Sequence, residues 1–496
     1  MDSSSVWMAR TTNSILRRDN KSIWLYPFFA LFFLLSLFLS LHHTPWRDEA
    51  QAWLMARDLS PWGLFLEARH DGHPILWHLC LKLIQAFGIN YVGMMFLNWA
   101  FITIAIWLLF YRSTLPLLAR IAFAFSPICL LQMSCNARNY AIAAALTFIA
   151  ATLYRNAEKK PILFSVVLAL LASTNVYAAA VFVGISFQFL LEQAWSCGRG
   201  TLSIRPIYTR YLIPNLILLA GALLLIAQLA PVPLAGEPIA GRPLLHNHIR
   251  NITPNLWMLF LVLPLLAFFS KSRGCPRILG GILAFALVLV PTILYGCHER
   301  HAFMVVLGVV YFLWIYLDDI ILKNPQIETR ILVRTTMLIV FVCVAAQPGQ
   351  IRGTFKANWD STHTAKAIIK NNLDQTNTLM VATEPDMTTS ILMQLHNIRN
   401  DYGPSPYPPQ PMSFADFFYT RMKRDQIPTL EDIKPLVLKL ASANPSKTIL
   451  VVSSDPENMN FNDHDPNYDL VPIYASPSHP EYHWFAEFYQ VYVLKR

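Results

Sequence analysis

The chain has 496 residues, of which 54% are hydrophobic and only 14% are charged. Soluble globular proteins carry about 25% charged residues, so this composition excludes a disordered or fibrous protein and argues against a large soluble enzyme. The net charge of +9 comes from short basic clusters between apolar runs, a pattern typical of membrane orientation and not of a nucleic-acid-binding surface.

A polytopic helical membrane protein is therefore predicted. A membrane-spanning helix needs roughly 20 mostly apolar residues, and eleven runs fit this requirement. They are residues 23–41, 91–111, 116–134, 137–154, 161–174, 175–193, 211–230, 256–270, 277–296, 302–321 and 331–348. The apolar segment 73–88 is short and contains His73, His78 and Lys82, so we interpret it as a juxtamembrane helix.

Basic residues set the predicted orientation. With residues 1–22 on the inner side, most Lys and Arg before residue 349 fall in inner loops, as the positive-inside rule requires. Treating 73–88 as a further span would invert every later loop and remove this bias. We therefore predict a transmembrane domain over 23–348 with a first outer loop at 42–90, and an outer domain over 349–496.

The segment 349–496 has short strand-like and helix-like segments separated by turn residues, a pattern typical of a soluble α/β domain. We predict strands at Thr378–Thr383, Thr448–Ser453, Leu470–Ala475 and Gln490–Leu494. Helices are predicted at Thr364–Leu373 and Thr429–Ser442, and the Pro-rich stretch Gly403–Pro411 is predicted to be a loop.

Polar residues concentrate at the predicted outer face. The first outer loop has Arg47, Asp48 and Glu49 directly after the first span, followed by His70, Asp71 and His73; Arg138 and Tyr140 begin one later span, and His298, Glu299, Arg300 and His301 precede another. Ionisable residues at one depth are typical of a site, although Asp and Glu also occur at ordinary helix starts and Arg can extend to lipid headgroups.

The chemistry of these residues leaves several roles open. A carboxylate pair such as Asp48 and Glu49 can activate a hydroxyl or bind a divalent cation, but no ligand spacing requires a metal. Guanidinium groups such as Arg138 and Arg300 are suited to stabilising a phosphate leaving group.

These motifs resemble a known family. A first span followed by Asp48-Glu49, a helix start at His73-Pro74, and Arg138-Asn139-Tyr140 at the outer start of a later span are similar to the dolichyl- and polyprenyl-phosphate-sugar glycosyltransferases of the GT-C fold. The most similar members are the protein O-mannosyltransferase superfamily, which includes bacterial aminoarabinose and galacturonic acid transferases of lipid A. The resemblance covers roughly residues 20–325. Arg300 is followed by His301, where the family commonly has Tyr.

The resemblance implies a GT-C-like bundle with outer juxtamembrane helices and an inverting transfer of sugar. Asp48 would be the general base and Glu49 would orient Asp48 or the acceptor. Arg138 and Arg300 would bind the donor phosphate, and His73 is a weaker candidate for the same surface.

The implied partners are a polyprenyl-phosphate-linked sugar, a glycan, lipid or protein acceptor, and the bilayer, with no nucleic acid. A bacterial inner membrane is the expected location, with the segment 349–496 periplasmic. Two other classes stay open at this stage: a transporter or flippase of lipid-linked sugars, and a non-catalytic assembly subunit.

Overall fold

A computed structural model of the chain describes residues 25–45, 47–71, 73–197, 208–229, 262, 276–294, 299–323, 329–345, 361–382, 385–398, 401–402, 430–453, 469–476 and 489–495. It divides into two compact units. The first, which we call the bundle unit, contains the chain up to Leu41, residues 72–76 and Phe96–Gly349. The second, the sheet unit, contains His42–Asp71, Trp77–Met95 and Gln350–Arg496.

Helices dominate the described residues. In chain order they are α1 (Leu25–His42), α2 (Arg47–Asp58), α3 (Pro61–Asp71), α4 (Leu76–Ala86), α5 (Val92–Arg112), α6 (Leu117–Ala124), α7 (Asn139–Tyr154), α8 (Pro161–Ala172), α9 (Val176–Cys197), α10 (Ile213–Leu229), α11 (Pro276–Leu294), α12 (Glu299–Lys323), α13 (Thr329–Ala345), α14 (Ser361–Lys370), α15 (Pro385–Leu392) and α16 (Leu430–Ala443). Two short π-helices cover Ile128–Met133 and Tyr208–Leu212.

Five described segments are long and apolar enough to cross a membrane. They are Leu25–His42, Val92–Arg112, Val176–Trp195, Arg210–Leu229 and His301–Ile320. Four shorter apolar helices cover Asn139–Tyr154, Pro161–Ala172, Pro276–Val290 and Ile331–Val344. On α10, Leu216, Leu219, Leu223 and Ile226 recur at helical spacing and are all exposed, which is typical of a lipid-facing stripe. These features indicate a helical membrane protein.

The predicted span at 116–134 is wrong as a continuous helix. Helix α6 ends at Ala124, and the π-helix begins at Ile128. Pro127 has no N–H and disfavours helical geometry in the residue before it, so the α-helix is interrupted there. The hydroxyl of Ser126 donates to the carbonyl of Phe123 at 2.7 Å, which supports the turn. The predicted span at 256–270 lies outside the described residues apart from Val262.

Helices α7 and α12 lie side by side and run in the same direction. Near their first residues, the rings of Tyr140 and His301 lie 6.2 Å apart. Near their ends, Nε of Arg155 donates to Oδ2 of Asp318 at 2.7 Å. The two pairs are 15 residues apart along α7 and 17 residues apart along α12, similar lengths of roughly 23 and 26 Å at 1.5 Å per residue. The two helices are therefore parallel, the direction that the predicted topology gives these two runs.

Helix α12 forms the core of the bundle unit. Every residue from Ala302 to Leu317 is buried. Next to it, helices α9 and α11 cross each other closely, because Gly184 and Gly281 allow their two backbones to approach. A Cβ atom on Gly184 would lie 2.8 Å from the carbonyl oxygen of Gly281 and 2.9 Å from Cβ of Phe285. Small residues at such crossings are typical of membrane helices.

The sheet unit has five strands: β1 (Thr378–Ala382), β2 (Asp401–Tyr402), β3 (Thr448–Ser453), β4 (Asp469–Ala475) and β5 (Gln490–Lys495). Their order is β2-β1-β3-β5-β4, in which β2, β1 and β3 are parallel and β5 is antiparallel to both neighbours. The four predicted strands are confirmed. Both predicted helices are present as α14 and α16, whereas α15 and β2 were missed. The predicted loop at 403–411 lies outside the described residues.

Most of the predicted outer loop groups with the sheet unit, whereas residues 72–76 belong to the bundle unit. Helix α2 packs against α15, and its residues Glu49–Ala56 are all buried. Helix α4 is about 16 Å long, too short to cross a bilayer, and keeps Leu83 and the following Phe87 exposed. These properties agree with the juxtamembrane interpretation of 73–88.

The close approach at Gly184 generates a testable prediction. We expect Gly184→Ala to destabilise the bundle unit by about 2 kcal/mol, because the new Cβ would overlap a backbone oxygen that cannot move freely. Thermal unfolding in detergent, followed by fluorescence-detected size-exclusion chromatography, measures the effect.

The matched control is Gly63→Ala in α3, where a Cβ meets ordinary contacts at 3.4 Å and the helix should be unchanged or stabilised. Equal melting temperatures for Gly184→Ala and the native protein would contradict this packing.

Candidate functional site

The site residues predicted from sequence fall into two groups, one in each unit. Asp48, Glu49 and Arg47 belong to the sheet unit, whereas His73, Arg138, Tyr140, Arg300 and His301 belong to the bundle unit. Each group is described on its own.

The acid pair lies in the first turn of α2. The helix begins at Arg47, so Asp48 and Glu49 are next to the positive end of the helix dipole. Carboxylates are stabilised at this position because the first N–H groups of a helix have no intrahelical acceptor. The predicted helix-start role is thus present, and the surroundings of the two carboxylates decide whether either has another role.

The two neighbouring carboxylates differ in exposure. The side chain of Glu49 is fully buried, and its Oε2 lies 2.9 Å from Nε2 of His43. The side chain of Asp48 is 13% exposed, and its Oδ1 lies 3.6 Å from Nε of Arg47. Asp48 is therefore the more exposed carboxylate of the two. The contact of Glu49 with His43 joins the segment before α2 to its first turn.

In the bundle unit, three rings from three helices meet. His301 in the first turn of α12 stacks on Tyr177 of α9, with ring centroids 3.8 Å apart and an interplanar angle of 17°. Tyr140 of α7 lies 6.2 Å from the His301 ring. The imidazole therefore packs as a flat ring between two helices. The structure thus brings together two of the site candidates, Tyr140 and His301, which the sequence placed only at the same predicted depth.

Arg138 immediately precedes α7 and is 6% exposed. Its extended backbone, with φ −128° and ψ 177°, ends the turn that follows the π-helix. The amide of Asn98 holds that turn by donating to the carbonyls of Met133 and Ser134 at 3.0 and 3.2 Å. A cation at the positive end of a helix adds to the dipole, so the position favours an anion.

The His-Pro motif is anchored in the same unit. The N–H of Ile75 donates to Oε1 of Gln228 at 2.9 Å, and the N–H of Leu76 donates to the carbonyl of Ser173 at 3.2 Å. These groups begin α4 and have no intrahelical acceptor. The motif thus docks a helix start on α10 and on the end of α8, and partly buried His73 lies in this docked segment.

Two predicted residues are placed only by their backbone. Arg300 lies in the first turn of α12, next to His301, and Asp71 is the last residue of α3. The side chains of both lie outside the described part of the structure, as do His70 and Glu299, and His298 lies wholly outside it.

Among the described residues, no group of three or more His, Cys, Asp or Glu side chains is arranged to hold a metal ion. Sequence reasoning missed His43 and Tyr177. His43 lies in the same loop as the acid pair, and this proximity was an available signal. Tyr177 lies within an apolar span, and nothing in the sequence distinguishes it from a packing residue.

Comparison with known proteins gives no match: neither a protein-family model, nor a curated protein, nor a solved structure is significantly similar to the chain.

The buried contact between His43 and Glu49 can be tested. We expect His43→Ala to destabilise the sheet unit by about 2 kcal/mol, because it leaves the fully buried Glu49 without this partner. Thermal unfolding followed by circular dichroism measures the change.

The control is His42→Ala, which alters the exposed neighbouring imidazole and should leave the transition unchanged. Adding Glu49→Gln to His43→Ala should recover part of the loss, because a neutral amide costs less to bury than a carboxylate. A double variant less stable than His43→Ala would argue against the ion pair.

Proposed function

We propose that the protein is an integral-membrane glycosyltransferase. It transfers a sugar from a polyprenyl-phosphate donor to an acceptor hydroxyl on a glycan, lipid or protein, with inversion. The observation that carries the proposal is the unequal burial of the acid pair. Asp48 is accessible in the first turn of a helix that follows a membrane-spanning segment, while Glu49 is buried and paired with His43.

Asp48 is suited to the role of general base. As the acceptor oxygen bonds to the anomeric carbon, Asp48 takes the proton from that hydroxyl and the bond from the anomeric carbon to the phosphate oxygen breaks. The departing phosphate carries the electron pair and needs no proton, because it is already a good leaving group. One carboxylate is therefore sufficient, in contrast to the two that glycoside hydrolysis requires.

Arg138 and Arg300 are the proposed phosphate-binding residues. Arg138 is nearly buried at the start of α7, where low solvent exposure strengthens its attraction for an anion. Arg300 occupies the first turn of the neighbouring parallel helix, α12. Two cations at two helix starts would offset the charge that develops on the leaving phosphate.

The distribution of ionisable residues is less favourable for a transporter. Coupled transporters and pumps carry ionisable groups deep in their spans. In the five described candidate spans, every Asp, Glu, Lys, Arg and His lies within four residues of an end. A non-catalytic assembly subunit would require no accessible carboxylate. The transfer assay described below distinguishes this hypothesis from an enzyme.

The sidedness is part of the proposal. Asp48, Arg138 and Arg300 would act on the outer or lumenal face, which is periplasmic if the protein resides in a bacterial inner membrane. The basic clusters on the opposite loops, including Arg17, Arg18 and Lys21, support this orientation.

The general base generates a testable prediction. Asp48→Asn should reduce the transfer of labelled sugar from a panel of polyprenyl-phosphate-linked donors by a factor on the order of a thousand, as expected for loss of a general base. The measurement uses purified protein in nanodiscs with a panel of acceptor hydroxyls.

The matched control is Asp58→Asn at the other end of α2, where the carboxylate is exposed and paired with Arg57 at 2.6 Å; it should retain native turnover. Equal turnover of Asp48→Asn and the native protein would remove Asp48 from its role. Absence of turnover in the native protein across the panel would favour transport or assembly.

A second prediction concerns the donor phosphate. Arg138→Gln should lower kcat/KM by roughly a hundredfold, because one fixed charge opposite the leaving group is lost. Arg138→Lys should recover only part of the activity, since an ammonium group cannot form the two-pronged contact of a guanidinium. The assay is the same transfer reaction at varied donor concentration.

The control for this series is Arg112→Gln at the opposite end of the bundle unit, where the guanidinium lies 5.5 Å above the ring of Trp107. Native kinetics of Arg138→Gln at all donor concentrations would contradict a phosphate-binding role.

A further inference from the structure

A chain of buried hydrogen bonds runs through the sheet unit from strand β5 to the loop before α2. The hydroxyl of Tyr489, one residue before β5, lies 3.0 Å from Oγ of Ser390. The amide of Gln394 donates to the carbonyl of Ser390 at 2.8 Å and lies 3.5 Å from Oγ of Ser361. The hydroxyl of Ser361 donates to the carbonyl of Pro45 at 3.1 Å. We call these contacts the relay.

The relay is anchored firmly at its sheet end. The N–H of Tyr489 donates to Oγ of Ser476 at 2.8 Å, and the N–H of Ser476 donates to the carbonyl of Tyr489 at 2.9 Å. Ser476 directly follows β4, so this exchange continues the antiparallel pairing of β4 with β5. The tyrosine hydroxyl is therefore held by the sheet.

The other end of the relay reaches the segment that precedes α2. Residues 43–45 connect α1 to α2 without regular secondary structure. The Pro45 carbonyl that accepts from Ser361 lies three residues before Asp48. Because the relay side chains are buried, each hydrogen bond is shielded from water, and breaking one leaves an unsatisfied polar group.

Packing acts on the same helix. Helix α15, which contains Ser390, packs directly against α2. The relay and this contact together fix the position and the direction of the first turn of α2.

We propose that the α/β domain positions the catalytic carboxylate, and that Ser361, Gln394 and Tyr489 are positioning residues for Asp48. The catalytic consequence rests on the proposed function, whereas the structural consequence, an ordered first turn of α2, does not. The residues after 349 thus complete the packing of α2, the helix that carries the acid pair.

A purely stabilising role makes a different prediction. If the relay only stabilised the sheet unit, its loss would loosen the strands and α2 together. If it positions Asp48, its loss loosens the start of α2 while the central strands β1 and β3 keep their protection, because local openings are independent of global unfolding.

The test compares Ser361→Ala and Tyr489→Phe in the full-length protein in nanodiscs. Both remove one hydroxyl and add no bulk. Hydrogen–deuterium exchange of the peptide covering residues 47–54 should become about fivefold faster in each variant, the change expected for one lost hydrogen bond. Exchange in β1 and β3 should stay at the native rate.

In the transfer assay, both variants should lower kcat by roughly ten- to a hundredfold with an unchanged KM for the donor, as expected for a displaced base. The control is Ser442→Ala in α16, whose exposed hydroxyl donates to the carbonyl of Leu438 and is outside the relay.

Native exchange at residues 47–54 in both variants would overturn the proposal, and so would an equal acceleration in α2 and the strands. Faster exchange at α2 with an unchanged kcat would also overturn the positioning of Asp48. If the native protein transfers no sugar, the proposed function fails, and the exchange measurement still decides whether the domain orders α2.

Discussion

The parallel pairing of α7 and α12 is the constraint on which the bundle unit depends. At one end the pair is tied by Arg155 and Asp318, and Asp318 also accepts from the hydroxyl of Thr114 at 2.6 Å. A buried carboxylate is costly unless it is fully hydrogen-bonded, so this end tolerates little displacement. At the other end the pair presents Arg138 and His301 from adjacent helix starts. The ion pair is thus remote from the candidate site, yet it fixes the register in which the site residues meet.

The sheet unit solves a related problem with the acid pair. Its two carboxylates are adjacent in one helical turn but differ in their surroundings. Glu49 is fully buried and lies 2.9 Å from the His43 ring, whereas the side chain of Asp48 is 13% exposed. Burial therefore distinguishes two chemically similar residues, and only the more exposed one fits the proposed role of general base. Sequence alone assigns both to the same motif and cannot make this distinction.

Sequence patterns predicted the features that depend on local periodicity. The apolar runs predicted most of the described apolar helices, and short apolar runs between turn residues predicted β1, β3, β4 and β5 within one or two residues. The failures have tertiary causes. Pro127 breaks a run whose hydropathy is continuous. Tyr177 becomes identifiable as a site residue through its stacking on His301, which belongs to a helix more than a hundred residues later in the chain. The grouping of α2 with α15 depends on a contact between segments far apart in the chain, which no local pattern encodes.

That last contact also orders the events of assembly. Helix α2 follows the first membrane span closely, but its packing partner α15 and the relay residue Tyr489 come after all the other membrane-spanning segments in the chain. Long-range contacts form late, because the entropy of closing the intervening chain must be overcome first. The first turn of α2 is therefore expected to reach its final order after α15 and Tyr489 have packed. Under the proposed function, a carboxylate positioned by these contacts would become active only once they have formed, which would couple the activity to the completion of the sheet unit.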